Sequence, residues 1–457
     1  QLLQGATYPS FSKPHDGLGF GPDMIKHSHG STGICGITAL NSDSFPEEHQ
    51  ETMIIGNVVT SRINHDRVDR KGATPSAVEL PDFMTSEDLW FRPVDIKMGP
   101  DGALYILDFY NKVIGHYEVP LTHPGRDRNR GRIWRVFYTG KDGKQTPPPL
   151  PDFTAMSVEE LIKNLGSKNQ TMRIMAGNEL VAREDSEATK SLLATINKPA
   201  DNFQQVHAMW ALLRLNALPD QAIETIITNP APFVRVHGIK MATSKPQLNE
   251  GLATLVQKAL EDTDGRVQIA AVQGLAQHPS EANLKAILSF RTKVNPNDSH
   301  LYYASRLALR EQVRNPEAWK GLPSQSSDPL ALKALADVAL GLPGASSAAF
   351  LANKLALIQP EGDREIAVVR MITRDGTDAD KTNVVNYMKN AQRPKARQAE
   401  LIRAASLAAQ EKGSKVDPIL LMQATDLCGY LLASKQENDV RIGTELAASL
   451  QLIDHLE

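Results

Sequence analysis

The sequence predicts a mixed fold, β first and then α: a β-rich N-terminal region followed by an α-solenoid of stacked helical hairpins. Three observations carry this. Residues 1–140 hold short apolar runs separated by Gly, Pro and Asp turn signals. Residues 141–156 are dense in proline. From Ser157 onward apolar residues recur at helical spacing, and the pattern itself repeats. The expected organisation is therefore 1–140, a linker at 141–156, and 157–457.

In the first region, residues 53–59 are a nearly continuous apolar run and read as a buried strand. Residues 94–98 alternate apolar and polar, Gly99-Pro100-Asp101-Gly102 is a tight turn, and 103–108 resume the strand pattern. Residues 132–138 alternate again and stop at Thr139-Gly140. Short strands with such turns suit a sandwich, a barrel or a propeller. The run Pro147-Pro148-Pro149-Leu150-Pro151 favours an extended, semi-rigid spacer. It offers few apolar side chains for docking, so the two halves are expected to be partly independent.

Ser157-Val158-Glu159-Glu160 has the form of a capping box ahead of Leu161-Ile162. Beyond it, Arg173, His207, Arg235, Gln268, Tyr303, Lys333, Ala367 and Glu400 occupy equivalent places, with steps of 28 to 35 residues. That is one helix–turn–helix per step, near the lower end for HEAT-like repeats. A single hairpin cannot bury its apolar face; stacking does, and small residues such as Ala176, Ala208 and Ala271 permit close approach. Asp262-Thr263-Asp264-Gly265-Arg266 and the Pro230/Pro232 pair read as helix openings. His207 and His237 lie one repeat apart and read as stacked polar positions on one face, with a metal pair as the alternative.

Composition narrows the function classes. With 41% hydrophobic and 23% charged residues the 457-residue chain reads as globular, and a formal charge of -3 gives no field to recruit nucleic acid. Cys35 and Cys428 form no C-x-x-C and no C-x-x-C-H haem motif; they read as buried free thiols, the alternative being one bridge joining the halves. No apolar run reaches the roughly 18–20 residues of a membrane span. No secretory signal is visible, and a start at Gln1 fits a processed form or an excised piece, so compartment is not readable from the terminus.

Several N-terminal stretches together resemble a known family. They are His15-Asp16-Gly17-Leu18-Gly19-Phe20-Gly21-Pro22, His29-Gly30-Ser31-Thr32-Gly33-Ile34, Trp90-Phe91-Arg92-Pro93-Val94-Asp95, and Gly99-Pro100-Asp101-Gly102-Ala103-Leu104-Tyr105. Asp108-Phe109-Tyr110-Asn111, Ile114-Gly115-His116 and Gly131-Arg132-Ile133-Trp134-Arg135 complete the set. Residues 8–138 thus resemble the final blades of the sorbosone-dehydrogenase-like propellers in the planctomycete-type membrane-bound dehydrogenase family, which place HEAT-like repeats behind the propeller. The resemblance implies a partial β-propeller, its last blades only. The region has room for about three blades, and a propeller commonly needs roughly four or more. Upstream blades or a second chain would supply the rest.

The resemblance further implies a portion of a quinoprotein-like sugar or polyol dehydrogenase, periplasmic or on the cell surface, with a PQQ-like quinone and Ca2+ as cofactors. The c-type haem motif of many family members is absent from this chain. A base takes a sugar hydroxyl proton in such enzymes, and His27, His29 and His116 are the candidates, beside glycine-rich turns. Of these His29 and His116 are the expected catalytic pair, against the commoner structural role. Arg92, Arg126, Arg128 and Arg132 are the expected ligands of cofactor carboxylates, since guanidinium forks bind such groups bidentately. If 126–132 is extended, alternation places Arg126, Arg128, Arg130 and Arg132 on one side; a solvated loop flanking a buried Trp134 is the alternative. Arg92, Asp95 and Asp108 also read as a buried pair tying blades together, and no D-x-D-x-D loop marks a calcium site. The competing function is a non-catalytic propeller–solenoid scaffold that binds proteins or polysaccharide.

Overall fold

The computed structural model describes residue 29 and residues 33–114, 119–322, 328–389 and 392–452. Among the described residues seven strands come first: β1 (Ile34–Ala39), β2 (Met53–Asn57), β3 (Arg62–Lys71), β4 (Thr74–Thr85), β5 (Pro93–Met98), β6 (Leu104–Asp108) and β7 (Arg132–Val136). They form two antiparallel meanders, β1-β2-β3-β4 and β5-β6-β7. Neither sheet closes into a ring among the described residues. The mixed order expected from sequence, β and then α, is the observed one.

Local chemistry explains the joints. Between β5 and β6 the Gly99 N–H donates to the Ala103 carbonyl at 2.7 Å, and Gly102 sits at φ +77°. A Cβ at Gly102 would lie 2.0 Å from Ser44 Oγ, so conformation and space both demand glycine. Leu40, Ile54 and Ile63 from one meander pack with Phe91, Ile96, Leu104 and Ile106 from the other in a single core.

Among the described residues eighteen helices follow. Two compact units divide the chain within α8, between Ala271 and Val272. The first unit contains the β region and α1 (Val158–Asn164), α2 (Gln170–Ala182), α3 (Ser186–Asn197), α4 (Asn202–Arg214), α5 (Asp220–Ile227), α6 (Pro232–Thr243), α7 (Glu250–Lys258) and the start of α8 (Gly265–Ala276). In it α2 packs on α4 and α4 on α6, while α1 meets α3 and α5 meets α7. The second unit contains the rest of α8 and α9 (Glu281–Lys293), α10 (Ser299–Val313), α11 (Pro316–Gly321), α12 (Pro329–Leu340), α13 (Ala345–Ile358), α14 (Gly362–Asp375), α15 (Asp378–Met388), α16 (Lys395–Glu411), α17 (Pro418–Leu432) and α18 (Glu437–Leu450). Here α10, α12, α14, α16 and α18 pack in succession, and α11, α13 and α15 do the same.

The eight sequence anchors all fall on even-numbered helices, from Arg173 on α2 to Glu400 on α16. Ser157 and Glu160 form the capping box, and Pro232 opens α6 at its first turn. Polar rungs join successive even helices. Arg173 Nε donates to His207 Nε2 at 3.1 Å, and Trp210 Nε1 donates to His237 Nδ1 at 3.0 Å. In the second unit the buried Asp337 lies 2.6 Å from both Arg306 and Arg364, and the buried Glu365 lies 2.8 Å from Arg393 and from Arg397. His207 and His237 are thus stacked polar positions, each paired with a neighbouring helix.

One expectation is corrected. The β region and the first helices are not loosely tethered. Asn169 Nδ2 donates to the Gly99 carbonyl at 2.9 Å, Thr171 Oγ1 to the Met98 carbonyl at 2.7 Å, and the Gln170 N–H to the Asn41 carbonyl at 2.9 Å. A Cβ on Gly265 would stand 2.4 Å from the Gly72–Ala73 turn of the β3–β4 hairpin. The proline segment 147–151 is exposed or half-buried; polar groups at the start of α2 make the seam instead, and apolar counting along the linker cannot register them.

Both cysteines are free thiols, Cys428 buried and Cys35 half-buried. Among the described residues no helix is long and apolar enough to cross a membrane.

Candidate functional site

The densest arrangement of the predicted side chains surrounds Asp108, the last residue of β6. Its carboxylate is buried, yet it is not isolated. One oxygen accepts from the Arg92 N–H at 2.8 Å and the Tyr110 N–H at 2.9 Å; the other accepts from Arg132 Nε at 2.7 Å and Trp134 Nε1 at 3.0 Å. Four donors compensate the cost of burying the charge. Register explains the convergence, because Asp108 pairs with Arg132 across β6 and β7 and Trp134 projects from the same side of β7 two residues on.

Arg132 is held again by Asp88, whose carboxylate lies 2.8 Å from Nη1. The Trp90 N–H and the Arg132 guanidinium keep the Asp88 carboxyl below its ordinary range. The guanidinium stands 4.3 Å from the centre of the Tyr110 ring and 5.1 Å from that of Trp134, and Tyr110 stacks on Trp90 at 5.1 Å. Tyr110 adopts φ 55°, a left-handed conformation that a bulky side chain rarely takes and that the Asp108 contact supports.

The other predicted arginines have separate partners. Arg92 donates to the carbonyls of Asn111, Val58 and Lys112 and to Ser61 Oγ, at 2.8 to 3.0 Å, and so bolts the β2–β3 turn to the loop after β6. Its guanidinium does not meet Asp108; only its backbone N–H does, and Arg132 takes the ion pair. Arg126 donates to the Val119 carbonyl and Arg128 to the Leu121 carbonyl. Residues 126–130 are a turn built on Asp127, which accepts from the Asn129 and Arg130 N–H groups. The strand alternation expected from Arg126 therefore begins only at Arg132. Arg135 pairs with the buried Asp101 of the tight turn.

His29 lies elsewhere in the first unit. Nε2 sits 3.0 Å from the Asp66 carboxylate and Nδ1 sits 3.2 Å from Glu79. The hydrogen bond it donates to Asp66 raises its pKa, against burial, and the charges of Asp66, Glu79 and Asp82 add to the rise. Carboxylates beside both nitrogens favour the imidazolium over the neutral ring, and an imidazolium has no lone pair for a substrate proton. His116 and His27 lie outside the described residues. Sequence reasoning missed Asp66, Asn64 and Asn57, a buried polar line on β2 and β3 in which Asn57 Nδ2 donates to the Asn64 side chain at 3.1 Å. Nothing in their spacing marks them, since polar residues at strand positions ordinarily face water.

Among the described residues no group of three or more His, Cys, Asp or Glu could hold a metal ion. The second unit has a cleft of about 300 Å³ lined by Lys333, Gln359, Pro360, Glu361 and Arg364, with both signs of charge on its walls.

Residues 8–140 match a family described as a domain of unknown function, DUF7133. No curated protein matches the chain. One similar solved structure is the crystal structure of an engineered protein from a structural genomics consortium; it is 16% identical, with 65% of this chain and 98% of that one covered, at a TM-score of 0.13.

Proposed function

We propose that the chain is a binding scaffold, an α-solenoid of HEAT-like hairpins carried behind propeller-type β blades. One observation carries this reading: two of the side chains a dehydrogenase would need, Arg92 and His29, are already engaged in holding the β region together. Arg92 is spent on backbone oxygens and His29 on two carboxylates. The helices supply the binding surface, because hairpins that stack through nearest neighbours leave a long face free for a protein partner. The cleft lined by Lys333, Pro360 and Arg364 is the first place to look.

The test uses the full chain. Proteins captured by it are cross-linked and mapped, and the capture is repeated with Lys333→Glu and Arg364→Glu together. The reading expects cross-links on the helices and a clear loss in the double variant. Cross-links confined to the β region would overturn it.

A second reading is a portion of a quinoprotein-like sugar or polyol dehydrogenase, periplasmic or cell-surface, using a PQQ-like quinone and Ca2+. It is favoured by the motifs of residues 8–138, the same stretch that matches the domain of unknown function. In that reading upstream blades or a second chain complete the pocket. Sugar oxidation with an artificial acceptor, with and without added quinone and calcium, separates the two. Sugar turnover that requires the added quinone would establish the dehydrogenase and displace the pure scaffold.

A further inference from the structure

The regular packing of the second unit breaks at one place. The row α11, α13, α15 is continuous, but α17 packs chiefly on α16 and α18 rather than on α15. The connections explain the break. Only Gly376 and Thr377 join α14 to α15, whereas residues 412–417 join α16 to α17. The longer loop enters the gap between α15 and α17, and a cavity of about 120 Å³ remains there.

The interior of this cavity is apolar. Val384 and Val385 of α15, Ala405 and Ala409 of α16 and Leu420 of α17 line it, and all five are buried. Val416 of the loop adds to the wall. The one polar side chain contributed by α14, Thr373, turns its hydroxyl back to the Val369 carbonyl of its own helix. Aliphatic cavities of this kind stay dry and accept a single ring or a branched aliphatic group. An unfilled cavity costs stability in proportion to its volume, so a group that fills it is bound favourably.

The remaining lining groups are polar: Asp378, Lys381, Ser414, Lys415 and Asp417. Most of the charge in and around them is already matched. Asp378 lies 3.3 Å from Lys381, and Asp375 holds both Arg374 and Lys412. One group of each sign is left over. Lys415 has no ionic partner among the described residues. Asp417 commits one oxygen to the Ile419 N–H at 2.8 Å, the cap of α17. A simple anion or a simple cation would meet a repelling group beside the attracting one. A zwitterion satisfies both, and an apolar α-amino acid carries ammonium, carboxylate and apolar side chain on one carbon.

We propose that the cavity between α15 and α17 is a binding site for a free apolar α-amino acid of the leucine or phenylalanine type. The side chain fills the space over Ala409, the carboxylate meets Lys415 and the ammonium meets Asp417. The site needs neither a protein partner nor turnover, so its fate is separate from both functional readings.

The full chain is titrated calorimetrically with L-leucine and L-phenylalanine. Isocaproate lacks the ammonium, isoamylamine lacks the carboxylate, and L-aspartate and L-lysine lack the apolar side chain; all four are titrated alongside. Three variants are compared, with thermal melts to establish that each is folded. Ala409→Leu fills the cavity, Lys415→Ala removes the cation, and Asp417→Asn removes the negative charge while keeping a good helix cap. The site expects leucine or phenylalanine to bind, binding to vanish in Ala409→Leu, and affinity to fall about tenfold or more in each of the other two. If Ala409→Leu does not fold, the two loop variants decide. Absence of binding by both apolar amino acids overturns the proposal, as does undiminished affinity in the loop variants. Equal binding of isocaproate or isoamylamine overturns it too, and would mark a plain apolar cavity.

Discussion

The side chain of Asn169 bonds to the carbonyl of Gly99 at 2.9 Å across a separation of 70 residues, and the same carboxamide caps α2 through its oxygen. One residue therefore both starts a helix and fastens it to the turn that joins β5 and β6. Asn169→Ala removes the cap and the side-chain donor to the Gly99 carbonyl, which keeps only the Gly102 N–H, a loss of roughly 1–3 kcal/mol. Asn169→Asp keeps the cap and loses only the donor, so it should fall between. Urea unfolding followed by circular dichroism checks the order; an alanine variant as stable as the parent would show that the seam contributes nothing.

Asp108 is predicted to be the most sensitive residue of the β region. Asp108→Ala takes the buried acceptor away from Arg132 Nε and three further N–H donors, while Asp88 still holds Arg132 Nη1, a loss of roughly 2–4 kcal/mol. Asp108→Asn keeps two acceptor lone pairs and should cost less. Tryptophan emission should shift to the red in both, because Trp134 loses its anchor. Unchanged emission with unchanged stability would mean that Asp108 does not hold the indole.

Asp337 makes the same kind of prediction for the second unit. It is buried between Arg306 and Arg364, so Asp337→Ala leaves two guanidinium groups without their shared carboxylate, again at roughly 3–5 kcal/mol. Hydrogen exchange should quicken first in α10, α12 and α14. Exchange that quickens uniformly would refute a local rung.

The histidines should respond to pH in opposite senses. Burial, with Arg173 beside His207 and Lys240 beside His237, pushes both pKa values down to about 4. The unfolded chain takes up these protons at higher pH than the folded one, so their contribution to stability is intact above about pH 6.5 and declines as pH falls toward 4. Each is worth on the order of 1–3 kcal/mol over that window. Imidazole resonances that titrate near 6.5 in the folded protein would contradict this.

His29 runs the other way. Its folded pKa is raised, so its stabilisation is complete below the ordinary value and is lost as pH rises through the raised one. His29→Gln should therefore be destabilised most in mild acid and least in mild alkali. A deficit that grows with pH would show that the imidazole is neutral between its two carboxylates.

Much of the architecture is legible in the chain. The apolar run at 53–59 becomes β2, the turn at 99–102 joins β5 to β6, and the eight repeat anchors sit on α2 to α16. Strands β3 and β4 are not legible. In β3 the consecutive Asn64, His65 and Asp66 are all buried, and a strand that buries polar residues on both faces loses the alternation by which strands are recognised. The arginine run was legible as a cluster but not as a geometry, since the Asp127 turn interrupts it.

By itself the sequence determined periods and punctuation: where helices repeat, where they are capped, and where strands reverse. These are local, because they depend on residues two to four apart. Which acid each base meets was decided only by the tertiary structure. Asp88 with Arg132, His29 with Asp66 and Asn169 with Gly99 are joined by folding across long loops, and a hydrogen bond of this kind leaves no periodic trace in the chain that makes it.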